Sequence, residues 1–272
     1  MKPVLLLMVL VYSSLPAGSQ NCIAFLSDIR NYDTLDWTRL DSTCLENYSN
    51  GFSNAGDFGV FAFRHNRVQL GKQIILTCAE KGVSRERFEA SRNDASALFA
   101  DKSFSAEYDS VFSKCAGKIK ENEEFILLEK LYNVDQVVRI EYKKVMRKED
   151  FYELLKTTDS LNFVILKQAF LNRASSFNES LIGLDGSYYL YLLLFHNLRH
   201  VNAAEFTEFE KVLHDMTYAG HFSANYFALI MDERLKAQGS SDFPIYNFHN
   251  VKTDAVKTGM INKNRKTLGL KF

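Results

Sequence analysis

Proline is almost missing: of three in 272 residues, Pro3 and Pro16 stand near the amino terminus and Pro244 alone falls in the body. With only 13 glycines and 46% apolar residues, this excludes a disordered or linker-like chain. Neither charge dominates, with 33 Lys+Arg against 33 Asp+Glu, which argues against a nucleic-acid binder carrying a basic excess. Long apolar runs are absent as well. Beyond the first dozen residues the longest is Tyr188 to Phe195, eight residues, against the ~20 that a membrane-spanning helix needs. There is no G-x-S-x-G elbow, no P-loop and no G-x-G-x-x-G, so the common routes to acyl transfer, nucleotide binding and dinucleotide binding are missing. Turn dipeptides of the hairpin kind are limited to Asn50-Gly51 and Asp185-Gly186. Neither is flanked by alternating apolar residues on both sides, which argues against a sheet.

What is present points first to export. Residues 1–19 have the make-up of a secretory signal peptide: Lys2, the apolar run Val4 to Tyr12, the breaker Pro16 and small residues up to Ser19. Cleavage there leaves 253 residues with 32 basic against 33 acidic side chains. Four cysteines, Cys22, Cys44, Cys78 and Cys115, are separated by 21, 33 and 36 residues, with no zinc-knuckle or C-x-x-C spacing. In an oxidising compartment they predict two disulfides, in any of three connectivities. Asn47 and Asn178 head N-glycosylation triplets, which matter only on a secreted chain. The expectation is a secreted, extracellular glycoprotein without a membrane span.

The remaining pattern is helical. From Glu124 to Met146 the residues Leu127, Leu131, Val134, Val138, Tyr142 and Val145 recur at steps of three and four and predict one buried face. Asn202 with Glu205 forms an Asx version of the capping box ahead of Phe206, Phe209, Leu213 and Met216, and Gly220 closes that helix. A third helix starts at Ser223, carries Tyr226, Phe227, Ile230, Met231 and Leu235, and stops at Gly239. Further helices are expected near 59–81, 85–100, 104–119, 149–157, 160–175 and 187–200, the last capped by Ser187. Its run Tyr188 to Phe195 has no polar face, which places it at the centre of a bundle. The predicted fold class is all-α: a multi-helix bundle in which a disulfide-linked N-terminal half packs on a cysteine-free helical half. The parts are the signal peptide 1–19, a disulfide-linked subdomain 20–120, a second helical subdomain 121–250 and a basic tail 251–272, where periodicity fades.

Chemistry is sparse. His196 and His200 lie one turn apart on a helix, the spacing of helical zinc sites, but Asn197 occupies the general-base position and Arg199 opposes a cation. They are metal candidates only in the sense of spacing. Tyr188, Tyr191, Tyr218 and Tyr226 are candidates to line a pocket for a small hydrophobic or amine ligand, because buried phenols need hydroxyl partners. Glu121, Glu123 and Glu124 suit the N-terminal end of a helix dipole. The tail offers Lys252, Lys257, Lys263, Arg265, Lys266 and Lys271 against Asp254 alone, a possible contact for an anionic surface. No cofactor and no catalytic residue is assigned.

In its leader, length and cysteine placement the chain resembles in general character the secreted salivary proteins of blood-feeding mosquitoes. The resemblance implies a host-interaction factor that binds proteins or mediators. The odorant-binding class and its salivary relatives carry cysteines three residues apart, which Cys44 and Cys78 do not match. The expected function is a secreted, non-enzymatic helical binding protein that engages an extracellular partner protein or surface. The alternatives are a small-ligand carrier and a metal-dependent hydrolase.

Overall fold

A computed structural model of the chain describes residues 59–60, 62–64, 66–91, 96–247 and 251–268. Residues 1–19, Cys22, Cys44, Asn47, His65, His249 and Lys271 lie outside the described residues. Every regular element among the described residues is helical, as an all-α multi-helix bundle requires. In chain order these are α1 (Val68–Glu80), α2 (Arg85–Ser91), α3 (Ser96–Phe99), α4 (Lys102–Lys120) and α5 (Glu123–Gln136). A π-helical segment (Val137–Tyr142) continues α5 into α6 (Lys143–Val145), followed by α7 (Lys148–Asn172) and a 3₁₀ turn (Ala174–Phe177). Then come α8 (Glu179–Leu198), α9 (Ala203–Tyr218), α10 (Ala224–Ala237) and α11 (Ala255–Thr267).

Two apolar clusters hold the helices. The smaller gathers Ile75, Val83, Phe88, Leu98, Phe99, Phe104 and Tyr108 from α1 to α4, with rings meeting mostly edge-on, as Phe99 does on Tyr108 at 5.1 Å. The larger is built on Leu190, Leu193, Leu194 and Leu198 of α8, against Leu128 and Leu131 of α5, Phe170 of α7, Phe209 and Leu213 of α9 and Phe227 of α10. Phe170 stacks nearly parallel on Phe209 at 5.8 Å and meets Phe177 edge-on at 5.4 Å. Helix α8 packs against α4, α5, α7 and α10, so the segment without a polar face is central.

The clusters meet where α8 begins. Lys81 and Glu179 form an ion pair at 3.3 Å with side chains only 4% and 2% exposed. Leu184 N donates to Lys81 O at 3.0 Å. Between these contacts Gly183 takes φ 67°, ψ −179°, and a Cβ there would lie about 3.0 Å from Ile119 and 3.1 Å from Lys81 O. Only glycine fits both the backbone and the space.

Several expectations need correction. The helix expected at 187–200 begins earlier: Asn178 caps a first turn from Glu179 by accepting from Ser180 N at 3.0 Å, and past the break in helical geometry at Gly183 the main helix runs on to Leu198. Ser187 is therefore interior and buried, its hydroxyl lacking a hydrogen-bond partner. Asp185-Gly186, a turn by composition, lies inside the same helix. The two helices expected at 149–157 and 160–175 are one, α7, since Ser160 folds its hydroxyl onto Lys156 O at 2.8 Å instead of breaking the chain. Ser223 stands at the N-cap of α10 but makes no capping bond.

The tail also differs from expectation: 255–267 is helix α11, not a solvated extension. Ile261 is buried, Arg265 donates to Tyr246 O at 2.8 Å and Lys257 to Asp242 O at 2.7 Å. Buried Asp232 of α10 ties down the adjoining loop by accepting from Ile245 N at 2.8 Å and Tyr246 N at 2.9 Å. Two of the six basic residues are thus engaged internally, which weakens the case for an anionic surface as the partner.

Candidate functional site

The feature that departs most from the apolar pattern is the hairpin of α5, the π segment, α6 and α7. Asn122 caps α5 by accepting from Phe125 N at 3.0 Å, and Glu124, buried, pairs with Arg173 at 3.1 Å. Leu128 and Leu131 then anchor the helix to the core. The π segment inserts its wider turn directly after Asp135 and Gln136, rotating everything beyond it relative to an ideal α-helix. The stripe read from the sequence is divided as a result: Leu131 and Val138 are buried, while Val134, Tyr142 and Val145 are exposed, Val145 to 79%.

From Arg139 to Asp150 no residue is buried. The hairpin end overhangs the bundle and carries Val134, Val137, Ile140, Tyr142, Val145 and Tyr152, all exposed. On α7 the apolar exposure continues with Leu161 at 61%, Val164 at 64% and Ile165. Isolated surface apolar residues are ordinary, but a concentration of this size on two paired helices makes the hairpin the candidate interaction surface.

A charged cluster sits at the base of the overhang. Asp135, 1% exposed, accepts from Arg139 Nε at 2.8 Å, from Gln136 Nε2 at 2.8 Å and from His196 Nδ1 at 3.2 Å, so that nitrogen carries the proton. Arg139 Nη2 reaches across to Asp159 of α7 at 2.6 Å. Burial pushes the Asp135 carboxyl up, but the hydrogen bonds and charges of His196 and Arg139 outweigh it and hold the group below its ordinary value. Burial wins at Asp159 and raises it, Arg139 offsetting only part. His200 is lowered by burial first and then by Arg199.

This cluster settles where the histidine pair goes. Among the described residues no three His, Cys, Asp or Glu side chains are placed to hold a metal ion. The position between the carboxylates of Asp135 and Asp159 is filled by the Arg139 guanidinium, and His196 orients on Asp135 while His200 stays exposed. His196 and His200, paired by spacing alone, are thus not gathered with a third ligand side chain among the described residues.

Three of the four candidate tyrosines come together. The Tyr188 ring centre lies 6.3 Å from that of Tyr191 and 6.4 Å from that of Tyr226, and Tyr191 stacks on Tyr226 at 4.3 Å. Tyr132 and Tyr189, stacked at 4.2 Å, extend the group on its other side. Tyr191 and Tyr226 cover one another's faces, as do Tyr132 and Tyr189, while Tyr188 is tilted against its neighbours and exposed. Burial, Tyr188 and Glu233 together push the Tyr191 phenol up to about 12. Tyr218 stands apart, its ring 4.4 Å from that of His214. Asn178 is spent as the cap of α8, and its amide also donates to Ser175 O at 2.7 Å. Cys78 of α1 is buried and Cys115 of α4 half-buried, and no disulfide joins them. No helix among the described residues is long and apolar enough to cross a membrane.

The residues missed from the sequence are Asp135, Arg139 and Asp159, with the exposed Val137 and Ile140. Asp135 and Arg139 have the i,i+4 acid–base spacing of a helical pair, and Val134, Val137 and Ile140 form a second apolar flank beside the stripe. Those two signals were available. Comparison with protein-family models, with curated proteins and with solved structures finds no match for this chain.

Proposed function

We propose that the chain is a secreted, non-enzymatic binding protein that engages its partner through the overhanging α5–α7 hairpin. The observation that carries this reading is the run of exposed apolar side chains from Val134 to Tyr152, on helices that leave the core after Val138 and return to it at Phe151. Such an arrangement leaves apolar area in water that only association removes. The charged cluster of Asp135, Arg139, Asp159 and His196 has a structural role in this reading: it fixes the two helices at the base of the overhang. The leader 1–19 supports export, and the resemblance to mosquito salivary proteins is in keeping with a binding role. The carrier reading draws on Tyr188, Tyr191 and Tyr226, but the stacking of Tyr191 on Tyr226 favours a filled cluster over a ligand site.

The test uses bis-ANS, a dye that reports exposed apolar surface. Expected is fluorescence enhancement that falls by more than half in Ile140→Asp/Val145→Asp, with far-UV circular dichroism unchanged. Enhancement that persists in that variant would place the apolar surface elsewhere and overturn the reading.

A further inference from the structure

The hairpin carries both signs of charge in balance. Arg139 is engaged internally between Asp135 and Asp159. Of the exposed charges, Lys144 pairs with Glu141 at 3.1 Å and Arg147 with Asp150 at 2.8 Å. Lys143, Lys148 and Lys156, with Glu149 and Glu153, remain exposed, three basic and two acidic. An anionic bilayer or a polyanion would select a marked basic excess, and the exposed charges here differ by only one. A surface bearing nearly equal numbers of both signs around apolar residues suits a partner with the same pattern.

Area agrees. Six side chains, Val134, Val137, Ile140, Tyr142, Val145 and Tyr152, are exposed by between 44% and 79%. That amounts to roughly 600 Å² of accessible area, most of the ~800 Å² per partner in a standard interface, and lysine stems at the rim supply the rest. A two-fold axis at the overhang would bring the basic residues of one copy to the acidic residues of the other twice over, so each contact is repeated.

We infer that the partner of this hairpin is a second copy of the chain, the two overhangs packing as a four-helix contact about a two-fold axis. The inference rests on the docking reading above and goes further by fixing the occupant. The proximity of both charge signs on each copy sets the register, and the apolar residues supply the affinity.

Sedimentation velocity of the full matured chain from about 1 to 200 μM tests it. Expected is a monomer–dimer equilibrium whose dissociation constant rises at least tenfold in Ile140→Asp/Val145→Asp. Lys143→Glu/Lys148→Glu and Glu149→Lys/Glu153→Lys each weaken self-association, and mixing the two variants restores a dimer. All substituted positions are exposed, and circular dichroism confirms that the variants fold. A wild-type chain that is monomeric throughout overturns the inference, as does a dimer indifferent to these substitutions. In the first case bis-ANS binding at the hairpin still separates the outcomes. If it is retained, the docking reading stands with a different protein as partner; if it is lost, both fall.

Discussion

Removing one member of the Lys81–Glu179 pair is the most demanding perturbation the fold offers. The ammonium and carboxylate lie 3.3 Å apart, both almost fully shielded from water, at the junction of the two apolar clusters. At an effective dielectric of about 20 the attraction is about 5 kcal/mol, but desolvating both ions cancels most of it, so the pair contributes little net stability. Truncation is a different matter. Glu179→Ala leaves the Lys81 charge buried without its carboxylate, a cost of about 3–5 kcal/mol, equivalent to a fall in Tm on the order of 10 °C for a chain of this size. Lys81→Met should cost a similar amount by removing the cation beside Glu179. The double variant Lys81→Met/Glu179→Leu removes both charges and should return to within about 1 kcal/mol of the wild type. The assay is urea denaturation followed by circular dichroism, read as a double-mutant cycle. Single variants that each lose less than about 1 kcal/mol would refute the argument that this junction is dry and held by paired charge.

Gly183→Ala forces a side chain into φ 67°, ψ −179° and onto Ile119 and Lys81 O, and should cost about 3 kcal/mol in the same denaturation assay; a neutral result would mean the kink relaxes. Arg139→Met removes the cation between Asp135 and Asp159 and should destabilise by about 3 kcal/mol, with faster amide exchange from Val137 to Phe151 than elsewhere; uniform exchange would contradict the anchoring role. The His221 imidazole is held below its ordinary 6.5, chiefly by burial and then by Lys81, so the unfolded chain binds more protons than the folded one just below that pH. Stability from this group is complete above 6.5 and is lost as pH falls below it. A Tm-against-pH curve should show that fall, and His221→Gln should flatten it; an unchanged slope would show that His221 is not the group responsible.

The parts of the fold that follow local rules were legible in the sequence. Asn202 accepts from Glu205 N at 3.0 Å and Gly220 closes α9 with φ 71°, as the capping pattern requires. Phe209, Leu213 and Met216 all face the core. What failed was set by tertiary context. Asn178 carries a glycosylation triplet and is equally a helix cap, and sequence alone does not rank the two roles. The stripe from Leu127 to Val145 has faultless helical spacing, but a π turn and an overhang together expose its second half. The tail lacks a periodic apolar face because one buried residue, Ile261, and polar anchors such as Arg265 are enough to dock α11. At the candidate site, the acid–base spacing of Asp135 and Arg139 was visible. The reach of Arg139 to Asp159, twenty residues away on another helix, was not.

The central claim is that the overhanging hairpin presents the apolar surface through which this protein binds. Photoincorporation of bis-ANS followed by peptide mapping tests it most directly. The account predicts label concentrated in peptides from Val134 to Ile165. Label concentrated on α4, α9 or α11, with the hairpin peptides clean, would contradict it.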